Sequence, residues 1–313
     1  MKKFIIKVVL ISVFGALFVA GYNQLSAIST RKYYGATTAD QINMSFRNAV
    51  SDDYNCYFLG NSRIYRDINP DCFPSVKSYN FAHDNDSYNQ MYYKLLYLLD
   101  HGEKIDYLII GTDYFQFSFL SDTRNYVYSK LFPDEYMADF GQTTFFEKQE
   151  AYYTQIWTNK QNALRSCLRF VLGRPAPRVV NYQKDNGQYV VNGEADPNET
   201  IDRDYSILDV QYDYFLRIID LCEKESIQLY IIMPPLWSGE TSSHSDQERD
   251  EFNSLINNTL SQTSYRNNYI NYSEEMGLSS FTDFIDITHL KPAVADEYSK
   301  YISSIVFGTS AQP

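Results

Sequence analysis

Tyr54-Asn55-Cys56-Tyr57-Phe58-Leu59-Gly60-Asn61-Ser62-Arg63 is the stretch whose reading decides the fold. Tyr54 to Leu59 is a short apolar run that reads as a strand, it stops at Gly60, and Ser62 follows at the start of a helix. Runs of the same kind recur downstream. Ser75 to Ala82 reads as a weaker second strand, and Pro70 and Pro74 leave room for only a short helix before it. Tyr107 to Ile110 and Ile227 to Met233 are continuous and apolar, as strands buried on both faces of a parallel sheet are, and Tyr269 to Tyr272 reads as a short strand. Between them, residues 86–101 place Met91, Tyr92, Leu95, Leu96, Leu98 and Leu99 at helical spacing, closed by His101-Gly102. Ile207 to Glu225 repeats that spacing, 247–262 reads as another helix and Pro292 to Val306 as the closing one. Strand and helix alternate, which predicts an α/β domain with a parallel sheet covered on both sides. Chemistry in such folds gathers at the carboxyl ends of the strands, where Gly60, Gly111 and Pro234 stand.

Residues 115–205 interrupt the alternation with a dense aromatic series that includes Phe115, Phe117, Phe119, Tyr126, Tyr128, Phe132, Tyr136, Phe145, Phe146, Tyr152, Tyr153 and Trp157. This reads as a partly helical insertion over the active-site edge. Its aromatics are expected to form a small core of their own, with a sugar-stacking platform as the alternative. Gly173 to Asn198, rich in Gly, Pro, Asn and Asp, reads as an exposed loop or hairpin.

The chain begins Met1-Lys2-Lys3, and an unbroken apolar segment runs from Val8 to Ala20. Lysine first and apolar second is the pattern of an export signal. Residues 1–24 are read as a single-pass signal anchor, long enough to cross a hydrocarbon core of ~30 Å if Lys7 snorkels. A cleaved signal peptide, giving a secreted or periplasmic protein, is the alternative, with Ala27-Ile28-Ser29 as a weak cleavage site. Either way the rest lies outside the cytoplasm: a spacer at 25–51, then the folded domain at 52–310.

With 44% hydrophobic and 16% aromatic residues, 29 of them tyrosine, the chain has the apolar surface that a packed core needs. A formal net charge of −12 argues against nucleic acid and anionic polymers, and favours neutral glycans or small esters. Cys56, Cys72, Cys167 and Cys222 show no C-x-x-C spacing, so neither a zinc site nor a disulfide is predicted.

The chemistry starts from Ser62. A serine at a strand-to-helix junction stands at the sheet edge, and the backbone N–H groups of Ser62 and Arg63 face the space above its hydroxyl, where an oxyanion would develop. Serine needs a base to become a nucleophile; alone, it reads as a helix cap. Phe284-Ile285-Asp286-Ile287-Thr288-His289-Leu290 supplies that base just before the closing helix. A carboxylate three residues before a histidine reaches one ring nitrogen and leaves the other for the serine, so Ser62, His289 and Asp286 form a nucleophile, base and orienter. His83 reads as a hydrogen-bonded structural histidine rather than a substrate contact, and His101 and His244 as surface residues. No metal or cofactor is called for.

On these motifs the chain resembles the SGNH (GDSL-like) hydrolase superfamily, whose first block is matched by Gly60-Asn61-Ser62 and whose last, D-x-x-H, by Asp286-Ile287-Thr288-His289. The resemblance implies a three-layer α/β/α flavodoxin-like fold and serine-based ester chemistry. The family's single-anchor members imply a cell-surface polysaccharide as substrate and a membrane-bound O-acyltransferase as partner. Two blocks depart from the pattern. Asn80-Phe81-Ala82-His83-Asp84-Asn85-Asp86 lacks the glycine whose N–H joins the oxyanion hole, and Asn85, which tolerates glycine's backbone conformations, is its substitute. Gly111-Thr112-Asp113-Tyr114 carries an acid where the family has an asparagine donor, so either another donor acts, Asp113 is protonated, or simple esters turn over slowly. The expected activity is esterase or O-acyltransferase, through an acyl-serine. The alternative is a silent glycan-binding or assembly protein of the same fold.

Overall fold

The computed structural model describes residues 1–141, 160–175, 181–196, 199, 205–273 and 281–308. Its strands are β1 (Cys56–Leu59), β2 (Ser78–Asn80), β3 (Tyr107–Gly111), β4 (Tyr182–Gln183), β5 (Tyr189–Val190), β6 (Gln228–Met233) and β7 (Tyr269–Asn271). Five of them form one parallel sheet in the order β2-β1-β3-β6-β7, with Phe58 opposite both Asn80 and Ile109, and Ile109 opposite Tyr230. The order reverses between β1 and β3, which opens a crevice at their carboxyl ends.

The helices are α1 (Lys2–Tyr34), α2 (Thr38–Ala49), α3 (Ser62–Asp67), α4 (Tyr88–Asp100), α5 (Asn125–Leu131), α6 (Pro133–Phe140), α7 (Lys160–Val171), α8 (Asp209–Lys224), α9 (Ser238–Ser243), α10 (Asp246–Ser261) and α11 (Pro292–Phe307). On one face of the sheet Cys56, Phe58, Ile109 and Ile232 share a core with Ile64 and Ile68 of the α3 segment and with Ala295, Tyr298 and Ile302 of α11. Side chains alternate along a strand, so the equally buried Tyr57, Leu59, Leu108, Ile110, Leu229 and Ile231 project to the other face. There α8 packs on β6 and on α4. Each such buried side chain contributes about 1.5–3 kcal/mol.

Two glycines set how closely α3 approaches the sheet. A Cβ on Gly60 would lie 2.8 Å from Ile64 Cβ, and one on Gly111 would lie 2.6 Å from Ile64 Cδ1. Ile64 thus wedges over the ends of β1 and β3, and any larger residue at either glycine pushes α3, with Ser62, off the sheet.

The chain forms two compact units, Met1–Met44 with Arg124–Val179 and Ser45–Thr123 with Val180–Pro313. This division corrects several boundaries read from the sequence. α1 runs on past residue 24 to Tyr34, so the expected spacer at 25–51 is largely helical. The sheet-bearing unit starts at Ser45, before residue 52, because Phe46 packs edge-on to Phe81 and Tyr97, and Tyr57 donates to the Ala49 carbonyl at 2.9 Å. The insertion is divided: 115–123 and the β4–β5 hairpin belong with the sheet, while α5, α6 and α7 belong with α1. Nor is the hairpin loose. Gln188 and Val190 are buried, Tyr189 stacks on Tyr65 at 5.3 Å, and Asn80 donates to the Asn186 carbonyl at 2.9 Å. Phe117, Tyr128, Phe132 and Tyr136 are buried, while Phe145, Phe146, Tyr152, Tyr153 and Trp157 lie outside the described residues, as does the side chain of Tyr126.

α1 is long and apolar enough to cross a membrane. Its 33 residues rise about 50 Å, and Phe4, Phe14, Leu17 and Phe18 are exposed along it.

Candidate active site

Local sequence explains how Ser62 is presented. Asn61 caps α3, its Oδ1 accepting the Arg63 N–H at 3.0 Å, and this starts the helix directly after Gly60. Ser62 is therefore the first residue of α3, and its own N–H has no helical carbonyl to reach. The base is held by a pinched loop. A bridge between Phe284 and Leu290 closes it, and Ile285 donates to the His289 carbonyl at 2.9 Å. Asp286 Oδ1 accepts from the backbone of Thr288 (2.8 Å) and of His289 (2.9 Å) and from the Thr288 hydroxyl (2.9 Å).

The three sequence-predicted residues come together. His289 Nδ1 lies 2.8 Å from Asp286 Oδ2, and His289 Nε2 lies 2.8 Å from Ser62 Oγ. With Nδ1 donating to the carboxylate, the Nε2 lone pair faces the serine proton, the arrangement a general base requires. Burial disfavours the imidazolium and outweighs the Asp286 hydrogen bond, so the His289 pKa is lowered and the ring is neutral and basic near pH 7; nearby Arg66 and Arg63 push the same way. Burial pushes the Asp286 carboxyl up, but the His289 hydrogen bond and charge and the Thr288 donors outweigh it and hold Asp286 well below the usual carboxylate range.

A cleft of about 570 Å³ opens beside Ser62, lined by Asn61, Asn85, Phe115, Ser118, Phe119, Leu120, Ser121, Asp122 and Thr123. Among the described residues, no Lys, Arg or His lines it. Phe115 and Phe119 stack within it at 5.8 Å and 19°. Asn85 lines the cleft with Ser62 and has φ 58°, the left-handed conformation glycine adopts most readily and asparagine tolerates.

Arg63 and Asp113, expected at the oxyanion or substrate, stand behind the cleft instead. The Arg63 N–H is consumed by Asn61, and its fully buried guanidinium bridges three segments: the Thr288 carbonyl (3.0 Å), Glu240 (2.6 Å) and Asp113 (3.3 Å). Asp113 in turn accepts from Asn61 Nδ2 at 2.7 Å. Asp113 therefore faces a guanidinium and steadies the cap of α3 rather than opposing charge in the cleft. Gln116 continues the network, accepting from Asn61 Nδ2 (2.8 Å) and donating to the Asp86 carbonyl (2.9 Å), next to Asn85.

Sequence reasoning missed Arg66, Glu240 and Gln116. Arg66 stands one helical turn after Ser62, with Nη1 3.8 Å from Asp286 and Nη2 2.9 Å from Asp84; its i+4 spacing on α3 was the available signal. Glu240, in the short helix α9, carried none. His83 is a buried structural residue, with Nδ1 2.7 Å from Lys94. His244, expected at the surface, is buried against Tyr114. The four cysteines are free thiols, and no metal-ligating cluster occurs among the described residues.

Comparison with protein-family models finds no match, and no curated protein matches the chain in sequence.

Proposed function

We propose that this protein is an extracytoplasmic, membrane-tethered serine acyltransferase or esterase of the SGNH kind, acting on a cell-surface polysaccharide or related ester. The observation that carries the reading is the Ser62–His289–Asp286 relay, with both hydrogen bonds at 2.8 Å, at the point where strand order reverses and beside a cleft. Numbered within the sheet, the strand order is 2-1-3-4-5, the flavodoxin-like order, which supports that fold assignment.

His289 takes the Ser62 proton as Oγ attacks an acyl carbonyl. The oxyanion is met by the Ser62 N–H at the start of α3 and by Asn85. The tetrahedral intermediate collapses to an acyl-serine as His289 returns the proton to the departing alkoxide. A glycan hydroxyl or water, deprotonated by His289, then releases the acyl group. With Phe115 and Phe119 in a cleft whose described lining includes Asp122 and no basic residue, a neutral sugar suits the acceptor side better than an anionic one.

Labelling with a fluorophosphonate tests the proposal. Wild-type protein is expected to label at Ser62 and Ser62→Ala not at all, with unchanged melting temperature. Folded wild type that stays unlabelled while Ser62→Ala keeps its cellular phenotype returns the protein to the silent, glycan-binding or assembly reading. Gain or loss of acyl groups on isolated glycan then separates transferase from esterase.

A further inference from the structure

α7 belongs to the same unit as α1, and the two pack through small polar side chains. Asn23, Ser26 and Ser29 of α1 and Ser166 and Cys167 of α7 are all buried. Ser29 Oγ is 3.8 Å from Cys167 Sγ, the Lys32 ammonium 5.0 Å from the Phe170 ring centroid, and Tyr33 donates to the Arg174 carbonyl at 3.0 Å. Contacts advance along both helices in the same sense, so α7 runs parallel to α1.

The opposite side of α7 is apolar and uncovered. Leu164, Leu168, Val171 and Leu172 recur at helical spacing and are 51, 52, 68 and 66% exposed. Arg165 and Arg169, also exposed, edge this stripe, Arg174 follows it, and no Asp or Glu occurs in the sequence from 160 to 175 in a chain whose net charge is −12. Apolar side chains beside long basic ones suit the end of a membrane-crossing helix pair, where Lys and Arg snorkel to the headgroups. Height agrees. Large apolar side chains are exposed on α1 up to Val19 and again at Ile28, and Val8 to Ile28 rises about 30 Å, one hydrocarbon thickness. Ile28 adjoins the Ser29 that touches Cys167, so Leu164 and Leu168, three positions before and one after Cys167, stand at the Ile28 end of that span.

We propose that the outward face of α7 is a lipid-contact surface, its leucines at the hydrocarbon boundary and its arginines on anionic headgroups of the bilayer that α1 crosses. It rests on α1 spanning a bilayer and is independent of the chemistry at Ser62. α1 then holds the protein to the membrane, and α7 restricts its rotation and tilt there.

The test uses the full-length protein in nanodiscs of mixed phosphatidylglycerol and phosphatidylcholine. Spin labels are placed at Leu168→Cys, Phe14→Cys and Asn257→Cys, with labelled wild type as background. Collision with oxygen reports lipid, and collision with a soluble nickel chelate reports water. Leu168→Cys is expected to favour oxygen, with nickel access several-fold below that of Asn257→Cys. Adding Arg165→Glu and Arg169→Glu is expected to raise nickel access at that site. A lipid reading at Phe14→Cys with a water reading at Leu168→Cys overturns the proposal and leaves the anchor standing; a water reading at both removes the anchor too. Dipolar broadening at Leu168→Cys shows a second copy on the stripe and also overturns it, as does indifference to charge reversal.

Discussion

Arg63→Met removes the fully buried guanidinium that ties the serine helix to the histidine loop. Met keeps much of the side-chain volume, so the loss is electrostatic. Glu240 and Asp113 stay buried without their cation, and the Thr288 carbonyl loses its donor. Breaking a buried ion pair by deleting one partner costs about 3–5 kcal/mol. For a domain of about 200 residues that is a fall in melting temperature of roughly 6–20 °C, readable by circular dichroism in detergent. Neutralising the stranded acids in the background, as Arg63→Met/Glu240→Gln/Asp113→Asn, is expected to recover most of the deficit, because the penalty lies in uncompensated charge. Fluorophosphonate labelling below the melting range should still fall about 10²-fold, since a base displaced by ~1 Å loses its geometry. A single variant melting within about 1 kcal/mol of wild type, or a triple variant as unstable as the single one, would refute the reasoning.

Four further outcomes follow from the geometry. Arg66→Gln removes a positive charge that lowers the His289 pKa, so the midpoint of the pH–labelling curve should move up and labelling at mildly acidic pH should drop. Asn85→Gly should label like wild type, whereas Asn85→Val, which resists φ 58°, should cost about 1–2 kcal/mol in stability and lose labelling. Gly60→Ala should melt lower than wild type and label more slowly, while Gly60→Ala/Ile64→Ala should restore part of both, since Ile64 is the atom group a Cβ meets. Asp286 has a depressed folded pKa, so its stabilisation is present above the unfolded value of about 3.9 and is lost as pH falls below it. Asp286→Asn should therefore show a flatter loss of melting temperature on acidification.

The central sheet was legible because its strands are buried on both faces, which leaves runs such as Tyr107 to Ile110 with no polar interruption. Ser62, Asp286 and His289 were legible because their roles depend on residue type and on adjacency to a strand end or within one loop. Asn85 was readable through its tolerance of positive φ. The roles of Arg63 and Asp113 were misassigned for a common reason. Whether a charged residue faces a cleft or its rear depends on where the chain finds a counter-charge, and Glu240 lies 177 positions from Arg63. The spacer was misjudged because α2 is polar on average: its contribution is one face, carrying Phe46 and Ala49.

Nucleophile and base are separated by 227 positions along the chain. At ordinary rates of synthesis, on the order of 5–20 residues per second, the segment carrying His289 emerges roughly 10 to 45 seconds after Ser62. Throughout that interval Ser62 is an ordinary hydroxyl at the start of α3, because its proton acceptor, His289, has not yet been made. Arg63 and Asp67 meet the late segment at the Thr288 carbonyl and the Leu290 N–H, so its arrival is also what closes α3 against the rest of the sheet. On the proposed mechanism, reactivity and completion of the fold are one event, and a chain stopped short of residue 286 would be inert rather than indiscriminate.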